Sequence, residues 1–163
     1  MEIPYEVHAA IHRQKARYGR YVDTKQWGSF NDIAHSDARF SFHAIGGKLV
    51  VRNGVPLEFT SAQAFTTHFE KVLSHAETLH MFGPGDLTFV SEARDEVKAI
   101  WAMEDELIYK DANGELNHRV RGGGFYHEIY KLDQGTWKIK SLQLIRTYNK
   151  LLIPGQPTKY QRD

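Results

Sequence analysis

At 163 residues the chain is long enough for one domain with a sizeable core, and 41% hydrophobic with 25% charged residues is the profile of an ordinary globular domain. Its 21 Lys and Arg nearly cancel its 20 Asp and Glu, and a net charge of +1 gives no case for nucleic acid or a membrane surface as partner. Cysteine is absent, which excludes disulfides, thiolate metal sites and a cysteine nucleophile.

The N-terminus MEIPYEVHAAIHRQ lacks a basic start followed by an apolar run, so no signal peptide is expected. No stretch approaches the ~20 apolar residues of a membrane span, and the cytoplasm is the default compartment. Pro4 to Val22 reads as a helix, with Val7, Ile11, Tyr18 and Val22 at helical spacing and Pro4 suited to its first turn. Lys25 to Ile33 reads as a short second helix burying Trp27, Phe30 and Ile33. Arg39–Ile45 alternates as a strand, and Gly46-Gly47 marks a turn into Lys48–Arg52. Ser61 is placed to cap a third helix with Phe65, Phe69 and Val72 as its apolar stripe. Strands then dominate: Thr78–Phe82, Leu87–Ser91, Val97–Lys110, Arg119–Leu132 and Trp137–Tyr148. The turns between them are expected at Gly83-Pro84-Gly85, Asp111–Gly114 and Asp133–Gly135.

Helices followed by long antiparallel strands make an α+β pattern. A strongly curved sheet with about three N-terminal helices on one side would form a cone-shaped barrel around a pocket. Gly122-Gly123-Gly124 fits sharp curvature or a bulge in a long strand, with a plain loop as the alternative. Residues 1–152 are expected to form the single domain. Residues 153–163, with Pro154, Gly155 and Pro157, are expected to form an extended tail able to close the pocket as a lid.

One strand carries an anomaly. Trp101, Met103, Asp105, Leu107 and Tyr109 share one face of Val97–Lys110, so its most apolar face has a carboxylate in the middle. A buried acid finds a partner or takes up a proton, which makes Asp105 a candidate for chemistry. Arg146, on a face with Leu142, Leu144 and Tyr148, is its natural partner or else meets a substrate oxyanion; the alternative is an arginine reaching out to solvent at a strand end. His80 stands alone between Leu79 and Met81, either a hydrogen-bonded core histidine or a base working near neutral pH. Asp23, before Thr24 and three residues ahead of Gln26, carries an N-cap signature.

Tyr126 and Tyr130 are either phenolic donors to a ligand or core aromatics with a satisfied hydroxyl, and His127 points to the opposite face. His43 can line a cavity; His68 and His75 read as surface residues. His75 and His80 lie five apart with a displaced Glu77, which is no zinc spacing, so no metal is expected. No phosphate loop, dinucleotide fingerprint or hydrolase elbow occurs, so no cofactor is expected either.

Four segments together resemble a known family: Ala16–Trp27 (ARYGRYVDTKQW), Thr78–Gly83 (TLHMFG), Ile100–Asp105 (IWAMED), and the pair GGGFYHEIYKL and TWKIKSLQLIRTY. In order and spacing they are similar to the nuclear transport factor 2-like cone, and within it to the SnoaL-like and scytalone-dehydratase-like enzymes. The resemblance implies a polar set on the cone's floor, at Tyr18, Asp23, His80, Asp105 and Arg146. It implies that His80, steadied by Asp23, removes a proton next to a carbonyl. Tyr18 and Arg146 would stabilise the enolate-like charge, and Asp105 would return a proton or help water leave. Tyr21, Trp101, Met103, Tyr126, Phe82 and Leu144 are expected to contact the substrate.

The activity so implied is a cofactor-independent dehydratase, double-bond isomerase or cyclase of secondary metabolism, acting on a hydrophobic, carbonyl-bearing, polycyclic small molecule. The alternatives are a non-catalytic binding module on the same cone, or a partner subunit like the small β-subunit of ring-hydroxylating dioxygenases. Relatives with this fold pair through the open sheet face, which implies a homodimer or higher symmetric oligomer using Ile100, Ala102 and Ile108.

Overall fold

A computed structural model describes residues 2–160. Helix α1 (Tyr5–Asp23) begins after Pro4 and ends at Thr24, whose backbone N–H donates to the Arg20 carbonyl while that of Lys25 donates to Val22. Its buried stripe is Ile11, Gln14, Lys15, Tyr18, Gly19, Tyr21 and Val22. Gln14 and Lys15 interrupt the apolar periodicity, and each is buried because it has a partner. Gln14 Nε2 donates to the carbonyl of Trp137 at 2.7 Å, and Lys15 Nζ to Glu128 at 2.5 Å.

The expected second helix is a six-residue 3₁₀ turn, Trp27–Asp32, that buries Trp27 and Phe30. It is shorter because Lys25 takes a left-handed conformation (φ 59°), which no continuing helix permits. β1 (Ala34–His43) follows, then three two-residue strands, β2 (Val51–Arg52), β3 (Val55–Pro56) and β4 (Glu58–Phe59). Ser61 caps α2 (Ala62–Val72) as its sequence predicts, accepting from the Ala64 N–H at 3.1 Å. Two α-helices and a 3₁₀ turn thus stand where three helices were expected.

Four long strands complete the chain: β5 (Ala76–Phe89), β6 (Glu96–Lys110), β7 (Leu116–Asp133) and β8 (Thr136–Leu152). The sheet runs in the order β4-β1-β8-β7-β6-β5, antiparallel except for the β1–β8 pair. It curves strongly but stays open, with β4 and β5 at its ends. The architecture is therefore the expected α+β cone without closure into a barrel. The aromatic core lies between the helices and the concave face, centred on Tyr18, Phe30, Phe40 and Phe65.

Three boundaries differ from expectation. Gly83-Pro84-Gly85 is not a turn: β5 runs through it as a single strand, slipping register between Phe82 and Gly85. Proline is tolerated there because β5 is an edge strand with no neighbour on its far side. Next, β8 carries an extra residue. Gly124 pairs with Arg146 but Gly123 with Tyr148, so Thr147 bulges out and the strand's alternation inverts. Finally, the tail turns after Ile153 and Lys159–Tyr160 (β9) pairs back onto Lys150 and Leu151, while the end of the proposed lid, 161–163, lies outside the described residues.

The triple glycine sits within β7 beside that bulge. A Cβ at Gly124 would strike the Ile145 carbonyl and lie 2.9 Å from the Arg146 Cα, both rigid backbone. Gly124→Ala therefore lowers stability by about 1–3 kcal/mol, the usual cost of overpacking. A drop in the urea midpoint at unchanged slope is the expected reading; an unchanged midpoint would show the backbone yields freely.

Candidate functional site

The cone encloses a cavity of ≈ 490 Å³. Its wall is mostly apolar, with Phe42, Phe65, Phe69, Leu107, Leu144 and Leu151 among the contributors. His43, Arg52, Asn117, His118 and Asn149 line it as well, and a further polar set comes from α1 and β5 to β8. Tyr18, His80, Asp105, Tyr126 and Arg146 all reach it.

Asp23, the last residue of α1, lies behind His80. Its carboxylate accepts from the His80 ring Nδ1 at 2.7 Å, from the His80 backbone N–H at 2.9 Å and from Thr78 Oγ1 at 2.9 Å. It caps no helix: the 3₁₀ turn starts after Gln26, without a side-chain cap. A carboxylate can only accept, so Nδ1 carries the proton, and the Nε2 lone pair of neutral His80 faces the cavity. Burial pushes the Asp23 carboxyl up, but the hydrogen bonds from His80 and Thr78 outweigh it and hold the group below the usual carboxylate range.

A depressed folded-state pKa has a definite sign. The stabilisation by Asp23 is complete above the ordinary carboxylate value and is lost as pH falls through the depressed one. Asp23→Asn removes this dependence, so the stability gap between wild type and variant narrows as pH drops from about 5 to 3. Urea titrations across that range check it; a gap independent of pH would show that the carboxylate charge contributes nothing.

Asp105 and His80 are direct neighbours in the β5–β6 register. Asp105 is 3% exposed and forms a two-pronged pair with Arg146, Nη1 to Oδ1 at 2.8 Å and Nη2 to Oδ2 at 2.6 Å. The arginine does not reach out to solvent. Its guanidinium lies across Gly122, where a Cβ would stand 2.7 Å from Nη1. Burial opposes the arginine's charge, but Asp105 more than offsets this and raises its pKa above the usual value. His80 Nε2 stands 3.9 Å from Asp105 Oδ2, beyond hydrogen-bond reach yet close enough to feel the charge. Both carboxylate oxygens accept from Arg146, so the arginine occupies each of them.

Tyr18 and Tyr126 meet across the floor with hydroxyls 3.5 Å apart and rings edge-to-face. Burial pushes both phenols well above their usual pKa, leaving them neutral donors at neutral pH.

Among the expected substrate contacts, Tyr126 and Leu144 line the cavity and Tyr21, Trp101, Met103 and Phe82 do not. Trp101 and Met103 are on the concave face, but α1 covers that part of it. Trp101 packs edge-on to His12 and lies over Gly85, where a Cβ would strike its ring. Phe82 is pressed against Gly19, Met103 receives the Arg146 guanidinium on sulfur at 3.5 Å, and Tyr21 faces Phe30. Tyr130 donates to Glu128 at 2.7 Å, away from the cavity.

Other wall residues were not foreseen. The Thr147 bulge turns Tyr148 outward, where it donates to Glu104, and brings Asn149 and Leu151 inward. An unbroken alternation had placed Tyr148 beside Arg146; only the register shows otherwise. His43 does line the wall, but both ring nitrogens are engaged, Nδ1 with the Gly47 carbonyl at 2.9 Å and Nε2 near Ser41 and Gln143 at 3.1 Å. Among the described residues, no group of three or more His, Asp or Glu is arranged to hold a metal ion, and no helix is long and apolar enough to cross a membrane.

The family described as SnoaL-like domain matches residues 5–143. A protein of Gibberella zeae named "Probable cyclase FGR4" is 34% identical over 152 residues, covering 93% of this chain and 99% of its own length. Among solved structures, hexachlorocyclohexane dehydrochlorinase LinA-type3 from Novosphingobium barchaimii LL02 superposes with a TM-score of 0.68 at 21% identity, over 91% of this chain and 90% of that one. The Kfla4162 protein from Kribbella flavida gives a TM-score of 0.70 at 16% identity, over 86% and 90%. At such identities these two likenesses show the fold.

Proposed function

The chain belongs to the SnoaL-like domain family, and on that ground we propose that it is a lyase or isomerase acting by acid-base chemistry on a hydrophobic, carbonyl-bearing small molecule. The observation that carries this is the Asp23–His80 pair, with Nδ1 satisfied and Nε2 open onto an apolar cavity. The relative named a cyclase supports the same class. A volume of ≈ 490 Å³ suits a molecule of two to four fused rings, such as a polyketide, terpenoid or steroid-like skeleton.

Neutral His80 takes a proton from the carbon next to the carbonyl. Asp23 holds the ring in the required tautomer and stabilises the imidazolium, and Asp105 at 3.9 Å adds a second negative charge facing it. Tyr18 and Tyr126 donate to the oxygen that gains charge, and the Arg146 guanidinium supplies a fixed positive field beside it. The imidazolium then returns the proton: to a leaving hydroxyl in dehydration, to another carbon in double-bond migration, or to an alkoxide after ring closure. This step, expected at Asp105 from sequence, passes to His80 because Arg146 holds both Asp105 oxygens.

Proton abstraction is measurable without the natural substrate. Protein incubated in D₂O with a bicyclic ketone such as 1-tetralone is expected to wash deuterium into the carbon next to the carbonyl. Mass spectrometry follows the exchange, and binding is checked separately by thermal shift. A ketone that binds but exchanges no faster than in buffer would sink the reading. A homodimer belongs to the same proposal: Leu79, Met81 and Phe125 are exposed, and register places them with Ala102 on the convex face.

A further inference from the structure

Lys15 and Glu128 are each 1% exposed, and their charges meet at 2.5 Å beneath the cavity floor. Neither lines the cavity. Stability does not explain them, because a buried ion pair seldom outperforms apolar side chains of similar volume. What the cation touches is more informative. Lys15 Nζ stands 3.6 Å from the ring centre of Tyr126, 4.2 Å from that of Phe82 and 4.6 Å from that of Tyr18. Two of these three rings carry the hydroxyls of the floor. The second oxygen of Glu128 accepts from Tyr130 at 2.7 Å, so the carboxylate is pinned from both sides.

We propose that Lys15 is a positioning residue whose ammonium, fixed under the Tyr126 and Tyr18 rings by Glu128, strengthens both phenols as hydrogen-bond donors to the developing oxyanion. A cation on the face of a phenol draws electron density from the ring and favours charge on its oxygen. In a dry, low-dielectric setting water screens that pull little, and the Glu128 carboxylate, which pushes both phenols up, opposes it. The role in turnover rests on the function proposed above; the effect on the phenols does not.

The arrangement also carries a pH dependence. Burial lowers the Lys15 pKa to about 8, against the pull of Glu128. Among the described residues, the titratable groups against the ammonium are Tyr18 on its own helix and Tyr126 and Glu128 on β7, with Tyr130 behind Glu128, and β5 contributes Phe82. Raising the pH through about 8 removes the cation and weakens the donors.

The test labels the full chain with ¹³Cζ-tyrosine, the Tyr126 and Tyr18 signals being identified by their loss in Tyr126→Phe and Tyr18→Phe. In the ligand-free wild type both are expected to follow a titration step near pH 8 that matches the Lys15 Nζ signal. The double variant Lys15→Met/Glu128→Gln, which leaves no lone buried charge, is expected to fold and to lose the step; Lys15→Arg keeps the cation and the signal positions. In the exchange assay the double variant is expected to lose roughly tenfold in kcat with KM within twofold, and to lose the wild type's alkaline limb. Phenol signals that stay flat in the wild type while Lys15 titrates overturn the proposal, as does a folded double variant with unaltered signals. Ketone exchange that fails while the step is present counts against the proposed function alone.

Discussion

His80→Ala is expected to lower the turnover of ketone exchange by about 10²–10⁴, the usual contribution of a positioned general base. The substitution deletes the imidazole that, among the described residues, stands at the cavity next to both buried carboxylates; His43 has both ring nitrogens engaged by the wall, and His118 stacks on Tyr109. The fold has reason to survive. Asp23 keeps its bonds from the His80 backbone N–H and from Thr78, so its carboxylate is not stranded. Binding of the ketone, read by thermal shift, is expected to change little while kcat falls, because the base acts on the reacting proton and not on the bulk of the ligand. Asp23→Asn is expected to cost less, since Nε2 remains and only its tautomer and charge support are lost. Turnover within tenfold of wild type in folded His80→Ala would remove the histidine from the chemistry.

The largest expected effect on stability comes from Arg146→Met. The Asp105 side chain it leaves behind is 3% exposed and, among the described residues, has no other hydrogen-bond donor to either oxygen, because His80 Nε2 at 3.9 Å is beyond hydrogen-bond range. Breaking a buried pair from one side costs about 3–5 kcal/mol. For a chain of this size that corresponds to a fall in Tm of roughly 6–20 °C. The double variant Arg146→Met/Asp105→Leu is expected to recover most of the loss, because an apolar pair of similar volume leaves no lone charge. Differential scanning calorimetry on the three proteins checks this. A single variant no less stable than the double would show that the cavity hydrates the orphaned carboxylate.

How much of the site was legible follows from how each residue announces itself. Asp105 was conspicuous because a strand shows its two faces in strict alternation, so one acid among Trp101, Met103 and Leu107 is visible without coordinates. Its pairing with Arg146 is expected because an arginine on an apolar face needs a partner, the meeting of Asp23 with His80 only from family resemblance, and the geometry brings both pairs within hydrogen-bond distance. Trp101, Met103 and Phe82 lie off the cavity wall for one shared reason: periodicity assigns a face but not the part of that face a helix covers. Tyr148 and Asn149 were exchanged because one bulged residue inverts everything after it, and a bulge at Thr147 carries no local mark. Lys15 and Glu128 passed unnoticed because an isolated charge on a helix or strand usually faces water.

The amino-acid sequence by itself determined the α+β order of elements, the Ser61 cap, the long antiparallel strands and the presence of an acid on a concave apolar face. All of these depend on neighbours within a few residues, where backbone geometry and hydrophobic period act directly. Only the tertiary structure decided which tyrosines face the cavity, that Arg146 engages both Asp105 oxygens, that Gly83-Pro84-Gly85 is a bulge in one strand, and that a lysine charge lies under the floor. The physical reason is separation along the chain: Asp105 and Arg146 are 41 residues apart, His80 and Asp23 are 57, and Lys15 and Glu128 are 113. Hydrogen bonds and desolvation act over a few ångströms, and the curvature of the sheet and the docking of α1 set which of these residues come that close.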